Sequence, residues 1–366
     1  MTRLGLLVNP IAGVGGPAGL KGSDGTAAEQ ALAQGYVSPA QSRTVQALRA
    51  MGPLEDAFQL YTFSRGMGED AARAAGFSPI VLGTCGEPTT FQDTRRGAAL
   101  LADLPVDLLL FSGGDGTARD IAAAVGERIP VLGIPCGVKI HSSVYALTPQ
   151  RAGELAARYL SGGVPLALGE VLDLDEEAFR RGQVQAQFYG GLLVPKDGAV
   201  QHTKSAGYTP GDGGEGLSQA IRREMRPGAL CLVGPGSTLY TACKWMGIHG
   251  SLLGMDLVRD GCLLQRDCTE HQLYRALEEG EQAQLFVTVI GGQGVLFGRG
   301  NQQLSPQILR RIGQENIRVV STKEKLADLR LRPMTLDTGD PELNRDLAGY
   351  YRVLVGPCET VLYPAK

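Results

Sequence analysis

Val106-Asp107-Leu108-Leu109-Leu110-Phe111-Ser112-Gly113-Gly114-Asp115-Gly116-Thr117 is the stretch of this chain that decides the fold. Its first half is a short apolar run, which is the pattern of a strand buried on both faces of a sheet. Its second half is a glycine turn that leads into a predicted helix over residues 118–125. A buried strand followed by such a turn and a helix is the repeating unit of a parallel, helix-flanked sheet.

The same alternation extends in both directions along the chain. Residues 4–8 predict a strand stopped by Pro10, and a glycine-rich loop follows over residues 13–25. Apolar runs and amphipathic segments bounded by Gly or Pro predict further strands at 57–63, 78–82 and 129–134, and helices at 43–51, 68–75 and 90–101. We therefore expect an α/β fold with a parallel-sheet domain over residues 1–155.

The second half has a different pattern at its start. Strand-like runs at 184–189 and 191–194 precede a polar, glycine-rich loop over 207–216. Alternation then resumes, with predicted strands at 230–233, 284–290 and 317–321 and predicted helices at 238–246, 270–279, 306–312 and 341–350. We expect a mixed β and α/β domain over residues 156–366, whose last ~40 residues could return to the first domain.

Composition excludes several classes of protein. The chain has 366 residues, of which 43% are apolar and 20% charged, as in a globular protein of two domains. A net charge of -3 predicts no nucleic-acid partner. No apolar stretch approaches the ~20 residues of a membrane span, and the N-terminus does not read as a signal peptide, so we expect a cytoplasmic protein. The seven Cys, an odd number without Cys-x-x-Cys, predict reduced thiols and neither disulfides nor zinc.

Asp115 is the strongest candidate for chemistry. Ligands of open α/β sheets bind at the carboxyl ends of the strands, where glycines and helix amides favour a phosphate. A carboxylate at that position would repel a phosphate unless it takes a proton or meets a metal, so it indicates phosphoryl transfer with Asp115 as base or metal partner. The alternative is a tight turn in which Asp115 only caps the helix.

Other loops have a similar layout. Lys21 is the cation of the loop that begins at Asn9, and it could contact a phosphate or lie in a merely flexible segment. Residues 234–238 also join a strand to a helix and could hold a second phosphate. The segment 137–142 follows a strand whose end should lie beside Asp115, so its polar side chains could contact a substrate or simply begin the next helix.

Two stretches resemble dinucleotide-binding patterns but lack the strand and helix context that such a site requires. Residues 211–216 match G-x-G-x-x-G but follow Pro210 instead of a strand, so we interpret them as a surface loop. Residues 13–18 follow a strand but place Pro17 in the opening turn. The four His are dispersed without a ligand spacing, and we predict no tightly bound metal.

These motifs point to a family. The stretches 111–117 and 132–137 resemble the NAD kinase and diacylglycerol kinase superfamily. More narrowly, the chain resembles the bacterial and archaeal ATP-NAD kinase-like proteins that include the acetoin-catabolism X protein, and the motifs that carry this resemblance are residues 9–13, 20–25, 234–238, 291–294, 298–303 and 337–340. The resemblance covers nearly the whole chain. The chain departs from true NAD kinases in two ways. It lacks their Asn-Glu dinucleotide, and it has α/β elements where their second half is largely β.

The resemblance implies a Rossmann-like N-terminal domain of NAD kinase type and a kinase that uses ATP, or polyphosphate, to phosphorylate the 2'-hydroxyl of NAD. It implies Asp115 as general base and Mg²⁺ arriving with ATP. The segment 291–303 either holds a second phosphorylated group, with Arg299 as donor to a phosphate or carboxylate, or is a glycine-rich hairpin. The expected nucleotide or phosphate contacts are Asn9, Lys21, Gly113, Gly114, Gly116, Thr117, Gly137, Lys139, His141, Ser142, Gly234, Gly236, Ser237, Thr238, Arg299, Asn301 and Gln302.

We expect ATP and NAD as partners, no nucleic acid or membrane, and a homo-oligomer. Two alternatives remain open. One is a kinase for another small alcohol such as a sugar, a polyol or a lipid-like diol, which the missing Asn-Glu dinucleotide favours. The other is a nucleotide-binding regulator without catalysis, since glycine-rich loops account for binding without turnover.

Overall fold

A computed structural model describes residues 2–20, 26–52, 58–138, 140–174, 186–196, 213–278, 282–290 and 293–366. Lys21, Lys139 and the pair 291–292, which the sequence singles out, lie outside these ranges. The chain divides into two compact units: Met1–Val14 with Gly22–Thr203, and Gly15–Lys21 with Lys204–Lys366. The domain division at residues 155 and 156 stays a prediction, and the first compact unit extends beyond it.

The first unit is built on a parallel five-stranded sheet. Its strands are β1 (Thr2–Val8), β2 (Phe58–Thr62), β3 (Ile80–Val81), β4 (Leu108–Gly113) and β5 (Val131–Pro135), in the spatial order β3-β2-β1-β4-β5. The helices of this unit are α1 (Thr26–Ala33), α2 (Ala40–Ala50), α3 (Glu69–Ala74), α4 (Phe91–Asp103), α5 (Asp115–Val125) and α6 (Pro149–Leu160), and a 3₁₀ turn spans Arg65–Met67. The parallel α/β sheet expected from the alternation is confirmed.

Strand β4 is the centre of this core. All six of its residues are buried, because helices cover both faces of the sheet. Phe111 is fully buried and meets the ring of Tyr145 edge-on at 5.2 Å between centroids. β4 pairs with β1 on one side and β5 on the other, which aligns the carboxyl ends of the three strands.

A long antiparallel hairpin completes the first unit. It consists of β6 (Leu166–Leu174) and β7 (Ala186–Pro195), with a register shift between Val171 and Leu172. The two runs predicted at 184–189 and 191–194 therefore form one strand. Ser143 N donates to the carbonyl of Glu170 at 2.9 Å, which joins β6 to the segment after β5.

The second unit has a seven-stranded mixed sheet. Its strands are β8 (Leu230–Val233), β9 (Met255–Arg259), β10 (Cys262–Cys268), β11 (Ala283–Thr288), β13 (Ile317–Val320), β15 (Gly349–Gly356) and β16 (Glu359–Ala365), ordered β10-β9-β8-β11-β13-β15-β16, while β12 (Val295–Phe297) and β14 (Thr335–Leu336) pair separately. The middle strands β8, β11, β13 and β15 are parallel, and the outer ones are antiparallel to their neighbours.

Helices and turns complete the second unit. The helices are α7 (Gly213–Glu224), α8 (Ser237–Trp245), α9 (Glu270–Glu278), α10 (Pro306–Ile312), α11 (Lys323–Ala327) and α12 (Pro341–Asp346), with a 3₁₀ turn at Gln314–Asn316. Alternate residues of β8 point into two separate hydrophobic clusters, so each face of the sheet has its own core. The mixed β and α/β second half is confirmed, and its last two strands pair within this sheet.

Three local predictions are wrong. Helix α7 begins at Gly213, so residues 213–216 are helical and not a loop. Helix α12 ends at Asp346, because the chain from Gly349 pairs with β16 and enters the sheet. Helix α5 begins at Asp115, three residues earlier than predicted.

The cysteines follow the sequence-based expectation. All seven are free thiols, and Cys136, Cys231, Cys243 and Cys268 are buried. Burial raises the pKa of Cys231 to about 11.

Among the described helices, none has both the length and the apolar character that crossing a bilayer requires.

Candidate active site

The turn between β4 and α5 is held by backbone contacts with the turn after β5. The carbonyl of Gly113 accepts from the amides of Cys136 at 2.9 Å and Gly137 at 3.0 Å. A Cβ on Gly113 would lie 2.4 Å from Thr117 Oγ1, and one on Gly114 would lie 3.0 Å from the Cα of Gly137. These glycines are thus required by packing within the protein, whatever they do for a phosphate.

Asp115 is the first residue of α5, and its carboxylate is enclosed by the protein. The residue is only 6% exposed. Oδ2 accepts from the backbone N of His141 at 2.7 Å and faces Nδ1 of the same residue at 3.1 Å. Oδ1 accepts from the backbone N of Ser142 at 3.1 Å and from its Oγ at 2.6 Å. Two oxygens with about four lone-pair sites therefore have four partners.

The partners of the Asp115 carboxylate bear on the interpretation of this residue as a helix cap. The cap of α5 is Gly114, and the described partners of the Asp115 carboxylate all lie outside this helix, so the interpretation of Asp115 as a helix cap is wrong. That Asp115 itself contacts a hydroxyl as general base stays a prediction.

A return of the chain beside β5 brings His141 and Ser142 to Asp115. The amide of Gly133 donates to the carbonyl of Val144 at 2.8 Å, and the amide of Ala146 donates to the carbonyl of Gly133 at 3.0 Å. A Cβ on Gly133 would lie 2.2 Å from the ring of Tyr145, so glycine is needed for this close approach. His141 and Ser142 lie in this loop and not at the start of α6, which begins at Pro149.

Tyr145 and Leu172 belong to the site although sequence reasoning did not identify them. The Tyr145 hydroxyl donates to the carbonyl of Gly114 at 2.5 Å and ties the returning loop to the β4–α5 turn. Ser142 Oγ accepts from the amide of Leu172 at 3.0 Å and lies 2.9 Å from its carbonyl. The hydroxyl has a single hydrogen, so it can donate to Asp115 or to Leu172, but not to both.

The imidazole of His141 is the side chain of this cluster with an uncommitted polar atom. The ring is buried, and Nδ1 faces Asp115 Oδ2. Within the part of the chain that the structure describes, Nε2 makes no hydrogen bond. When Nδ1 carries the hydrogen that it shares with a carboxylate, Nε2 of a neutral ring holds a lone pair and can accept a proton.

Asn9 and Thr117 meet at the other side of the turn. Asn9 lies just after β1, and its Nδ2 donates to Thr117 Oγ1 at 3.0 Å. Its Oδ1 accepts from the amide of Ile11 at 3.3 Å. Asn9 therefore positions the first turn of α5, next to the half-buried Gly116.

The remaining candidates lie in the second unit. Residues Gly234 to Thr238 join β8 to α8, as expected. Arg299 and Asn301 are buried. Asn301 is used within its own turn, donating to the carbonyl of Leu296 at 2.9 Å and accepting from the amide of Gly298 at 3.0 Å. The Gln302 side chain fills the space that a Cβ on Gly16 would take.

The Asp115 cluster does not fit a protein-held magnesium ion. Mg²⁺ prefers carboxylate oxygens, and both oxygens of Asp115 are occupied by N–H and O–H groups. No group of three or more His, Cys, Asp or Glu suited to a metal occurs among the described residues.

Two domain families match this chain. The ATP-NAD kinase N-terminal domain family matches residues 4–164, and the ATP-NAD kinase C-terminal domain family matches residues 228–365. A search of curated proteins finds no match.

Among solved structures, the chain is similar to three from Bacillus anthracis str. Sterne. One is named a diacylglycerol kinase, with 18% identity and a TM-score of 0.24 over 48% of this chain and 46% of that one. Two others, provisionally named diacylglycerol kinases, have 17% and 18% identity and TM-scores of 0.24 and 0.25, over 48% of this chain and 46% and 45% of theirs. The likeness spans a little under half of each of these structures. Because the two domain families match residues 4–164 and 228–365, the chain belongs to the ATP-NAD kinase family.

Proposed function

We propose that this protein is a kinase that transfers a phosphoryl group from ATP, or from polyphosphate, to an alcohol, with the 2'-hydroxyl of NAD as the first candidate acceptor. The observation that carries the proposal is the Asp115–His141 pair at the carboxyl edge of a parallel sheet. Membership of the ATP-NAD kinase family supports phosphoryl transfer. Cytoplasmic location and a homo-oligomeric state remain predictions.

The proposed reaction has a simple balance of atoms. The acceptor oxygen attacks the transferred phosphorus, the bond from phosphorus to the donor's bridging oxygen breaks, and the acceptor proton goes to the Asp115–His141 pair. Either an Asp115 oxygen takes the proton after losing one of its four partners, or His141 Nε2 takes it while Asp115 holds the ring. A positioned base of this kind contributes about 10²–10⁴-fold to the rate.

The first turn of α5 is the proposed contact for the phosphates. Gly114 and Gly116 are half-buried, and backbone amides at the start of an eleven-residue helix favour an anion. Asn9 and Thr117 are expected to fix the geometry of this turn, and Ser142 that of Asp115. The backbone of Gly137 lies close to that of Gly114, so the two loops pack directly against each other.

A panel of acceptors tests this function. The purified chain is incubated with ATP and Mg²⁺ and with NAD, sugars, polyols or diols, and phosphorylated products are identified by mass spectrometry. Formation of NADP supports the proposed acceptor. Consumption of another alcohol without NADP supports the related kinase.

A regulator that binds nucleotides without turnover is the second candidate. The complete occupation of the Asp115 carboxylate favours it, because a carboxylate with four partners can serve structure alone. Calorimetric binding of ATP or NAD with no product from any acceptor would establish this candidate. Any measurable turnover would exclude it.

A further inference from the structure

The second unit has its own point of reversal in strand order. After β8 the chain passes through α8 to β9 on one side, whereas after β11 it passes through α10 to β13 on the other side. Strands β8 and β11 are parallel neighbours. In open α/β sheets, ligands bind in the crevice outside the carboxyl ends of two such strands. The topology therefore predicts a ligand site at the carboxyl ends of β8 and β11.

The loop after β8 is tightly held at this point. The amide of Gly234 donates to the carbonyl of Phe286 in β11 at 2.8 Å, and the amide of Gly236 donates to the carbonyl of Leu252 at 2.9 Å. Gly236 has φ of +122°, a conformation that a side chain disfavours. Helix α8 starts directly afterwards at Ser237, and no side chain of the described residues caps it. Its first amides are thus available to a ligand.

Thr288 gives an independent sign of a ligand. It is the last residue of β11 and is 9% exposed. Its Oγ1 is buried and makes no hydrogen bond with any residue that the structure describes. Its Cγ2 lies 2.6 Å from where a Cβ on Gly236 would be, so the side chain stands beside the start of α8. A buried hydroxyl without a partner costs about 1–3 kcal/mol.

Lys325 adds a positive charge at the same place. It lies on α11, which follows β13, and its Nζ donates to Thr238 Oγ1 in the first turn of α8 at 2.6 Å. The start of a helix carries a partial positive charge, and together with the ammonium group of Lys325 it makes this place favourable for an anion. The partial charge of the helix start and the ammonium group of Lys325 thus lie near Thr288, whose hydroxyl has no partner among the described residues.

We infer that the start of α8 binds a phosphate group, with Lys325 and the hydroxyls of Thr238 and Thr288 as its side-chain ligands. The ligand class is a phosphorylated small molecule, of which inorganic phosphate is the minimal probe. The site is built from the second unit alone and needs no part of the Asp115 cluster. It therefore goes beyond the proposed kinase reaction and is testable without turnover.

Differential acetylation of lysines in the full-length chain tests the site. Lys325 is half-buried, whereas Lys323 on the same helix is exposed and pairs with Glu359 at 2.7 Å, which makes it an internal control. The chain is treated with an acetylating reagent with and without inorganic phosphate or ATP, and each lysine is followed by mass spectrometry. We expect phosphate to slow acetylation of Lys325 several-fold and to leave Lys323 unchanged. Protection by ATP but not by inorganic phosphate identifies a nucleotide as the source of the group.

Two variants separate this site from the kinase proposal. Thr288→Val should abolish most of the protection without loss of stability, because it removes a hydroxyl that has no partner among the described residues. Asp115→Asn should retain the protection even if turnover is lost. Equal acetylation of Lys325 with and without both probes, or protection that survives Thr288→Val unchanged, would overturn the inference.

Discussion

Replacing Asp115 by Asn should reduce both stability and turnover, and the structure allows the first effect to be worked out. The carboxylate accepts two backbone amides, one from His141 and one from Ser142, and meets one polar side-chain atom of each. An Asn has one acceptor oxygen, so its NH₂ group must face one of the two backbone amides. The Ser142 hydroxyl can turn to the carbonyl of Leu172, and the His141 ring can change tautomer. A backbone N–H can only donate, so it cannot adjust to an NH₂ group that faces it.

One buried backbone N–H therefore loses its acceptor, whichever way the side-chain amide of the variant is turned. That loss costs about 1–3 kcal/mol, and hydrogen bonds to a charged acceptor are worth up to about twice the neutral ones. We expect Asp115→Asn to lower the free energy of unfolding by about 2–4 kcal/mol. The charge that orients His141 is also lost, so turnover should fall by about 10²–10⁴-fold.

Calorimetry and a turnover assay at a temperature where the variant is folded measure the two effects separately. Asp103→Asn is the matched control, because the side chain of Asp103 is 67% exposed and pairs with Arg128 at the surface. Such pairs contribute about 0–1 kcal/mol, so this variant should behave like the wild type. An Asp115→Asn protein as stable as the control would show that the four contacts do not hold the site, and wild-type turnover would remove Asp115 from the reaction.

Three further outcomes follow from the geometry. His141→Asn keeps a donor near Asp115 but removes Nε2, so it should lose about 10²–10⁴-fold of turnover and regain part with free imidazole if His141 takes the proton; unchanged turnover would leave Asp115 as the direct base. Gly133→Ala should lower the free energy of unfolding by about 1–3 kcal/mol, because its Cβ would lie 2.2 Å from the ring of Tyr145. Gly163→Ala is the control, since the nearest atom to its Cβ would be 3.5 Å away, and its denaturation curve should match that of the wild type. In thiol labelling at pH ~8, exposed Cys262 should react far faster than Cys231, because burial raises the pKa of Cys231 to about 11 and keeps it a neutral thiol; equal rates would contradict this.

Local pattern was sufficient for most of the first unit. The apolar run ending at Phe111, the glycine turn and the following helix are encoded within a dozen residues, and the parallel sheet follows from their repetition. The same reasoning pointed to Asp115 and to the segment that contains His141 and Ser142. The pattern failed at residues 213–216, where glycine content suggested a loop and a helix forms.

The alternation of apolar strands and glycine turns determined the fold class, and the motif around Asp115 determined where to look for the site. Only the tertiary structure decided that this carboxylate has four partners and that Lys325 reaches Thr238, 87 residues away in the chain. The physical reason is that strand and turn preferences act over a few neighbouring residues, whereas hydrogen bonds between distant segments depend on how the chain returns on itself.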